Sequence, residues 1–574
     1  MTWFSEHSVL HRYAVAIRAT PRQVFSLQLF LTVTTFAIAG CPKGWDEGSA
    51  ASITQLTSFR NSFHLNSSNA VQDSNTISNL VSLVNLGAGI GPLLSLPFND
   101  ILGRIWSYRL WMLVYGIGII LEVLAGSNLN TMYAGRIIAG FGIGALTVIG
   151  PMGIAECAPR SLRGLLGLSF NVCMIGGQGR SAFPRRPTSR KANRSVIGIF
   201  VVYGVQQSIP ASRSIQWQLP FIVQLAIPVL GFALSFLVPE SPRFLLGRGK
   251  ETATVQVLCR LRNLPEDAPY VLEECAAMKE AHSAEKIAKG GSGFLGLLKE
   301  CFTVRNYFRR TRTVIIAYVL AQFSGANSIT NYLPTILTLL GVTNTNQRLL
   351  YTAGYSIAKL GCLFIASLFF VDLVGRRKSL LVGVTVQGLC HVYLAVYLHR
   401  FLGGGSVTRG SSDMAIAAIF IHAFGWGIGL LPLPYLFGAE LFPTRIRSVG
   451  GALSASFHWL FYFAITKATP AMLTAMNGWG LFAFFAAWCA IAWVYGFIMI
   501  PETAGRSLES INALFDLKWY EIRKNAYPTD EDLMAPIVTQ ATPLSNAENG
   551  DVRQFAGDLM LEGKSESEHR EYSP

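Results

Sequence analysis

Twelve mostly apolar stretches, each of about 20 residues or a little more apart from an interrupted one, follow one another along the chain, near 24–44, 77–97, 106–126, 130–152, 164–207 (interrupted), 217–238, 313–340, 350–371, 379–399, 415–437, 450–470 and 478–500. A helix of about 20 apolar residues spans the hydrocarbon core of a bilayer. The rest of the chain leaves little room for another plan. Of 574 residues, 51 % are apolar and 14 % are charged, against roughly a quarter charged in soluble domains. So few charges cannot coat several water-facing domains, and so apolar a chain is not disordered. Nine cysteines without a C-x-x-C pair give no disulfide or zinc framework; they read as small core residues. The expected fold is an all-α membrane protein of twelve transmembrane helices.

A long polar stretch separates the sixth span from the seventh, so the layout is six, a linker, then six. The expected divisions are a segment 1–23, a bundle 24–238, a linker 239–312, a bundle 313–500 and a tail 501–574. Lys and Arg set orientation, because cytoplasmic loops hold the basic excess. With the N-terminus inside, Arg104, Arg109, Arg160, Arg163, Arg376, Arg377, Lys378, Arg445 and Arg447 all fall on the inner side. Both termini are then cytoplasmic, and the acidic tail Asp530–Pro574 reads as disordered. The net charge of +14 reflects this topology rather than a nucleic-acid partner. The mixed start Met1–Arg22 does not read as a cleavable signal, and the first span can itself direct insertion. The loop after span 1 falls outside and carries the sequon Asn66-Ser67-Ser68.

The two halves echo each other. Asp100-Ile-Leu-Gly103-Arg104 lies between spans 2 and 3, and Asp372-Leu-Val-Gly375-Arg376 lies between spans 8 and 9. Glu156-Cys-Ala-Pro159 with Arg163 follows span 4, and Glu440-Leu-Phe-Pro443 with Arg447 follows span 10. Pro239-Glu240-Ser241-Pro242-Arg243 closes one half, and Pro501-Glu502-Thr503-Ala504-Gly505-Arg506 closes the other. Each motif alone is weak; three pairs at matching places point to an internal duplication. Parallel repeats around a midplane site are a known transporter plan.

On these motifs the chain resembles the sugar porter family of the major facilitator superfamily, from about Phe25 to Glu509. The run Ala39-Gly40-Cys41-Pro42-Lys43-Gly44-Trp45-Asp46-Glu47-Gly48 is most similar to fungal quinate-type and sugar-type permeases. The resemblance implies two pseudo-symmetric six-helix bundles with a cytoplasmic helical linker. It implies a secondary transporter, not an enzyme, acting on a monosaccharide, polyol or quinate, either as a proton symporter, with protons as the coupled ion, or as a uniporter, and with no cofactor. It also implies a plasma-membrane location. The oligomeric state is open, with a monomer expected.

The charged motifs suggest a gate on the cytoplasmic side. Glu156, Glu240, Glu440 and Glu502 face Arg104, Arg163, Arg376 and Arg447, with Asp100, Arg243 and Asp372 beside them. Pairs made only when that side is shut would stabilise the outward-open state; the other reading is topogenic charge plus helix capping. Asp46 ends an apolar span and Arg136 begins another, and ionisable residues at such depth mark function. An acid beside an arginine holds its proton less firmly than one moved away from it, which makes a proton switch. The family's symporters carry an acid and an Arg at these two positions. The alternative places Asp46 in exterior solvent as a helix cap.

A polyhydroxylated ligand needs groups that donate and accept, with aromatic faces for its C–H side. Span 7 supplies Gln322, Asn327, Asn331 and Tyr332 in an apolar helix. The family pattern Q-Q-x-x-G-x-N-x-x-x-Y-Y has Ala321 for its first Gln and Asn331 for its first Tyr here. Gln178 matches another ligand-binding Gln, and Tyr435 replaces the family's usual pocket Trp. Trp459 and Tyr462 lie in span 11. These departures weaken a plain hexose and leave room for quinate or a polyol. His391, His422 and His458 show no metal spacing and read as packed or hydrogen-bonded residues.

Span 5 is anomalous. After Gln178 come 18 residues, 179–196, with Arg180, Arg185, Arg186, Arg190, Lys191 and Arg194 and no acid. At about 2.5–3.5 kcal/mol per midplane charge, six exceed about 15 kcal/mol, so this piece cannot lie in lipid. Joining Gln178 to Ile197 restores one span of ordinary length. The reading is a retained in-frame intron of 18 codons; the alternative is a true insertion expelled as a loop. Besides transport, a non-transporting nutrient sensor on this fold and a defective, mis-spliced product remain as readings.

Overall fold

The computed structural model describes residues 17–18, 20–65, 70–159, 162–178, 199–290, 293–365, 375–431, 438, 441–500 and 502. Gly179–Val196, Asn66, Asp372, Tyr435, Glu440 and almost all of the tail lie outside them, as does the side chain of Gln178. Among the described residues every regular element is helical. Nine helices there are long and apolar enough to cross a membrane: 72–102, 104–124, 129–157, 215–237, 305–339, 376–402, 409–428, 447–475 and 479–499. The remaining expected spans appear as Leu27–Ile38 with Cys41–Ile53, Arg163–Gln178 with Ile199–Ser208, and Thr345–Ile365. The twelve-span reading accounts for all of them.

Large apolar side chains stay exposed on the outer faces, such as Leu27, Phe30, Leu124, Val229 and Leu389. In a bilayer these meet lipid, which is as apolar as a core. Small and aromatic residues pack inward instead. Tyr108, Tyr115, Ile119, Ala139, Ile143 and Leu146 form the centre of the first half, and Trp459 and Tyr462 of the second half join that cluster. The halves are therefore in direct contact along span 11.

Span 1 differs from expectation. Its first helix ends at Ile38, and a second helix runs Cys41–Ile53. Asp46 therefore lies inside the span, 7 % exposed, and is not a solvent-facing cap. Span 7 begins at Arg305 rather than 313 and breaks at Gly325, whose φ of +84° suits glycine. A second kink falls at Tyr332, ahead of Pro334. Asn327 and Asn331 lie between these breaks, and Gln322 lies just before the first.

The linker holds four helices: Pro242–Gly247, Glu251–Arg262, Pro269–Lys289 and Phe294–Thr303. It is fastened to both halves. Arg262 grips Glu274 at 2.6 and 2.8 Å and donates to the Cys157 carbonyl at 2.8 Å. Arg445, just ahead of span 11, makes a two-pronged pair with Glu300 at 2.8 Å on each prong.

Candidate functional site

The repeated D-x-x-G-R turns fold alike. Gly103 and Gly375 have φ of +93° and +94°, open to glycine and costly for other residues. A carboxylate sits against each: Glu240 accepts the Arg104 N–H at 2.9 Å, and Glu502 accepts the Arg376 N–H at 2.9 Å and the Arg377 N–H at 3.1 Å. Each acid caps the helix that opens span 3 or span 9, where unpaired N–H groups and the helix dipole favour an anion. Burial pushes the Glu240 carboxyl up from its ordinary range, opposed by N–H bonds from Ser241, Arg104 and Ile105.

Arg104 then reaches Glu156 through Nε and Nη2, both at 2.9 Å. Asp100 stands 3.9 Å from Arg104, and Ser241 Oγ also bonds Glu156. Each of these described gate contacts lies within one half. The physical reason is the cap: a carboxylate fixed on backbone N–H groups belongs to its own half. Arg447 donates to the Phe442 carbonyl at 3.3 Å. Arg243 is half-buried beside the motif.

Deeper in the first half, Arg136 is 2 % exposed. Its Nη1 pairs with Asp46 Oδ1, its Nη2 reaches Oδ2 at 3.2 Å, and its Nε donates to the Leu80 carbonyl at 2.7 Å. Glu122 of span 3 lies 3.7 Å from Arg136 and is fully buried. Its carboxylate oxygens have no hydrogen-bond partner among the described residues. Two carboxylates thus share one guanidinium, so the cluster carries one negative charge unless a carboxyl takes a proton. Glu122 was not picked out from the sequence, although a glutamate inside an apolar run is the signal that marks such sites.

The polar side chains of span 7 meet span 11. Gln322 Nε2 donates to His458 Nδ1 at 3.0 Å, which sets that ring in its Nε2–H tautomer. Asn327 Nδ2 donates to Gln322 Oε1 at 2.6 Å. Asn331 Nδ2 donates to the Tyr462 hydroxyl at 2.9 Å, and Tyr332 donates to the Thr466 carbonyl at 3.0 Å. Trp459 stacks on Tyr462 with ring centroids 5.8 Å apart. Gln322 and Asn327 are thus bonded to each other beside His458 and Trp459, while Tyr332 meets span 11 further along, at Thr466. The amides are paired with each other, as buried polar groups require. Tyr332 also lines a cavity of about 640 Å³ between the halves, with Arg60, Asp73, Ile77 and Arg348, at the end away from the linker.

Two lysines also missed in the sequence lie at this junction. Lys43, in the second helix of span 1, holds its Nζ 4.6 Å from the centre of the Trp459 ring and 3.8 Å from Glu47. Lys359 of span 8 holds its Nζ 3.5 Å from the Thr330 hydroxyl and 4.8 Å from the centre of the Trp426 ring. His391 Nε2–H donates to the Ser324 carbonyl at 2.8 Å. His422 packs on His391 with ring centroids 4.5 Å apart.

The sequence family described as "Sugar (and other) transporter" matches residues 32–515. A quinate permease of Emericella nidulans is 31 % identical over 525 residues, covering 88 % of this chain and 94 % of its own. A probable quinate permease of Aspergillus flavus is 30 % identical over 506 residues, covering 87 % and 90 %. Among solved structures, the proton:xylose symporter XylE superposes with a TM-score of 0.67 at 20 % identity, covering 85 % of this chain and 99 % of that one. A partially occluded inward-open form of XylE from E. coli gives 0.66 at 18 % identity, covering 84 % and 100 %. The fold is thus the twelve-helix major facilitator fold, and the chain, a multi-pass membrane transporter and not an enzyme, belongs to the sugar porter family.

Proposed function

We propose that this transporter carries a polyhydroxylated small molecule inward by alternating access, coupled to protons. The observation that carries this reading is the short helix Cys41–Ile53. Its Asp46 pairs with Arg136 in the first half, and its Lys43 lies on Trp459 in the second. One rigid element of about 20 Å thus joins an ion-pair site to the aromatic and amide groups that suit a ligand rich in hydroxyls. A movement of that helix that follows ligand binding strains the Asp46–Arg136 pair, and a proton on Asp46 releases it.

In this reading Gln322, Asn327, Tyr332 and Trp459, with Gln178 and Tyr435 outside the described geometry, hold the ligand. Asp100, Arg104, Glu156, Arg163, Glu240, Arg243, Asp372, Arg376, Glu440, Arg447 and Glu502 form the gate at the linker end. That end is cytoplasmic together with both termini, and the membrane is the plasma membrane. The protein acts as a monomer. Relatives named quinate permeases favour quinate or a sugar-like analogue as substrate.

The test is uptake of labelled quinate, D-xylose and myo-inositol by proteoliposomes with and without an inward proton gradient. Accumulation of one of them only under the gradient supports the reading. Equal equilibration with and without the gradient removes the proton, and no uptake of any removes the substrate class.

A further inference from the structure

Glu122 is a carboxyl that no hydrogen bond reaches. It is fully buried, in the last turn of span 3, Arg104–Leu124. Among the described residues neither of its oxygens has a hydrogen-bond partner. The one cation within 4 Å of it there is Arg136, at 3.7 Å, beyond hydrogen-bond range. Arg136 is already engaged, with Nη1 and Nη2 on Asp46 of span 1 and Nε on the Leu80 carbonyl of span 2. The Glu122 methylenes lie against span 4, where a Cβ at Gly135 would fall 2.9 Å from its Cγ. Two turns back on its own helix, the Tyr115 hydroxyl accepts from Gln224 of span 6 at 2.6 Å. The next charges on span 1, Lys43 and Glu47, face each other at 3.8 Å. An ionised carboxylate without a donor, shut off from water, is far costlier than a neutral carboxyl. The deficit is one of donors, so charges further off do not repair it.

We propose that Glu122 is a second proton site of the Asp46–Arg136 cluster: it holds a proton while Asp46 pairs with Arg136, and gives that proton to Asp46 as Arg136 turns to Glu122. This rests on the proton-coupled reading given above and deepens it. The O–H bond on Glu122 breaks, an O–H bond forms on Asp46, and Arg136 keeps all its protons. Both carboxyls face the same nitrogen, Arg136 Nη1, so a shift of about 1 Å brings Glu122 into bonding range of it. With one proton between two acids, the guanidinium faces one carboxylate at either stage. No buried ion is then left alone, which is the costly outcome when a buried pair breaks.

The neutral Asp46 then moves with the short helix Cys41–Ile53 and loses its proton on the linker side. Ionised again, it reclaims Arg136, and Glu122 takes a new proton from the end away from the linker. One proton crosses per cycle, in through Glu122 and out through Asp46. The positions suit that order. Glu122 lies two residues from the end of its helix and Asp46 seven from the end of its own, about 3 and 10 Å at 1.5 Å per residue.

The experiment uses the full chain in nanodiscs, whose infrared spectrum at neutral pH reads the C=O stretch of protonated carboxyl groups. Glu122→Gln should remove one such band that the parent shows, without lowering the melting temperature, because an amide replaces a neutral acid of the same shape. Asp46→Asn should remove the same band, because Arg136 then turns to Glu122 and ionises it. A neutral acid that only fills space keeps its band in Asp46→Asn, and that result overturns the inference, as does a parent without the band. The second reading is uptake of labelled quinate, D-xylose and myo-inositol by proteoliposomes. Under an inward proton gradient Glu122→Gln should accumulate substrate at least about tenfold less than the parent, while exchange of labelled for unlabelled substrate continues, and Glu122→Asp should restore part of the accumulation. If Glu122→Gln concentrates substrate as the parent does, the inference falls while the proton-coupled reading stands. If the parent equilibrates substrate equally with and without the gradient, that reading falls and takes the inference with it.

Discussion

Glu240 stands over Gly103 in one half as Glu502 stands over Gly375 in the other, each carboxylate taking the N–H groups that open the next helix. The relation predicts matched stability losses. A Cβ at position 103 would fall 2.5 Å from Glu240 Oε2, and one at 375 would fall 2.6 Å from Glu502 Oε2, both at positive φ. Gly103→Ala and Gly375→Ala should therefore each cost about 1 kcal/mol or more. Glu240→Ala orphans the N–H groups of Arg104, Ile105 and Ser241 and should cost about 1–3 kcal/mol. Glu240→Gln keeps an acceptor oxygen and should cost less. Melting curves of the purified protein check all four.

The Asp46–Arg136 pair predicts a split between two assays. Asp46→Asn should abolish accumulation driven by a proton gradient yet leave exchange of labelled for unlabelled substrate. If the variant still concentrates substrate, Asp46 is not the proton carrier.

Arg136 also answers Glu122, so its removal leaves two buried carboxylates together. Arg136→Met should cost about 3–5 kcal/mol, the range for breaking a buried pair by removing one partner. Adding Asp46→Asn removes one of the stranded charges and should recover part of the loss. The check is a double-mutant cycle on melting temperature and on the yield of monodisperse protein.

Much of this frame was legible in the sequence. The twelve apolar runs and the three repeated motifs gave the two halves, because span length and turn chemistry are local properties. The chain break after Ile38 was not legible. It carries the span on to Ile53 and buries Asp46, and nothing in a run of small and apolar residues says where a helix bends. Lys359 and Glu122 were visible as ionisable residues in apolar runs. Their meaning depends on what faces them from another helix, which period and composition do not encode. The gate shows the same limit: spacing showed that Glu156, Glu240 and Arg104 belong together, but not that the acids would be spent on their own half.

At the linker, Arg445 holds the Glu300 carboxyl below its usual range. A carboxyl lowered on folding stabilises the docked linker at pH values above the ordinary glutamate range, about 4.3. That contribution fades as the pH falls toward the lowered value. Both side chains are about a quarter exposed, 24 % and 28 %, so the effect is screened by salt. Acidification below about pH 4.3 should therefore raise hydrogen exchange, taken relative to the intrinsic rate at each pH, in the helix Phe294–Thr303, less so at high salt. Glu300→Gln should raise it already at neutral pH and remove the acid-dependent step.

The segment 179–196 decides whether the fifth span is one helix or two. The helix Arg163–Gln178 has 16 residues and Ile199–Ser208 has 10. At about 1.5 Å per residue neither reaches the roughly 30 Å of a bilayer core, while the two in line do. A transcript read across the codons for Gln178 and Ile197 should show a mature message lacking these 18 codons. The protein with Gln178 joined to Ile197 should then reach the cell surface in greater amount and transport, while the chain with the insert is retained or carries nothing. If every message holds the insert and the longer chain transports as well as the shorter, the segment is a genuine loop, and span 5 works as two helices on either side of it.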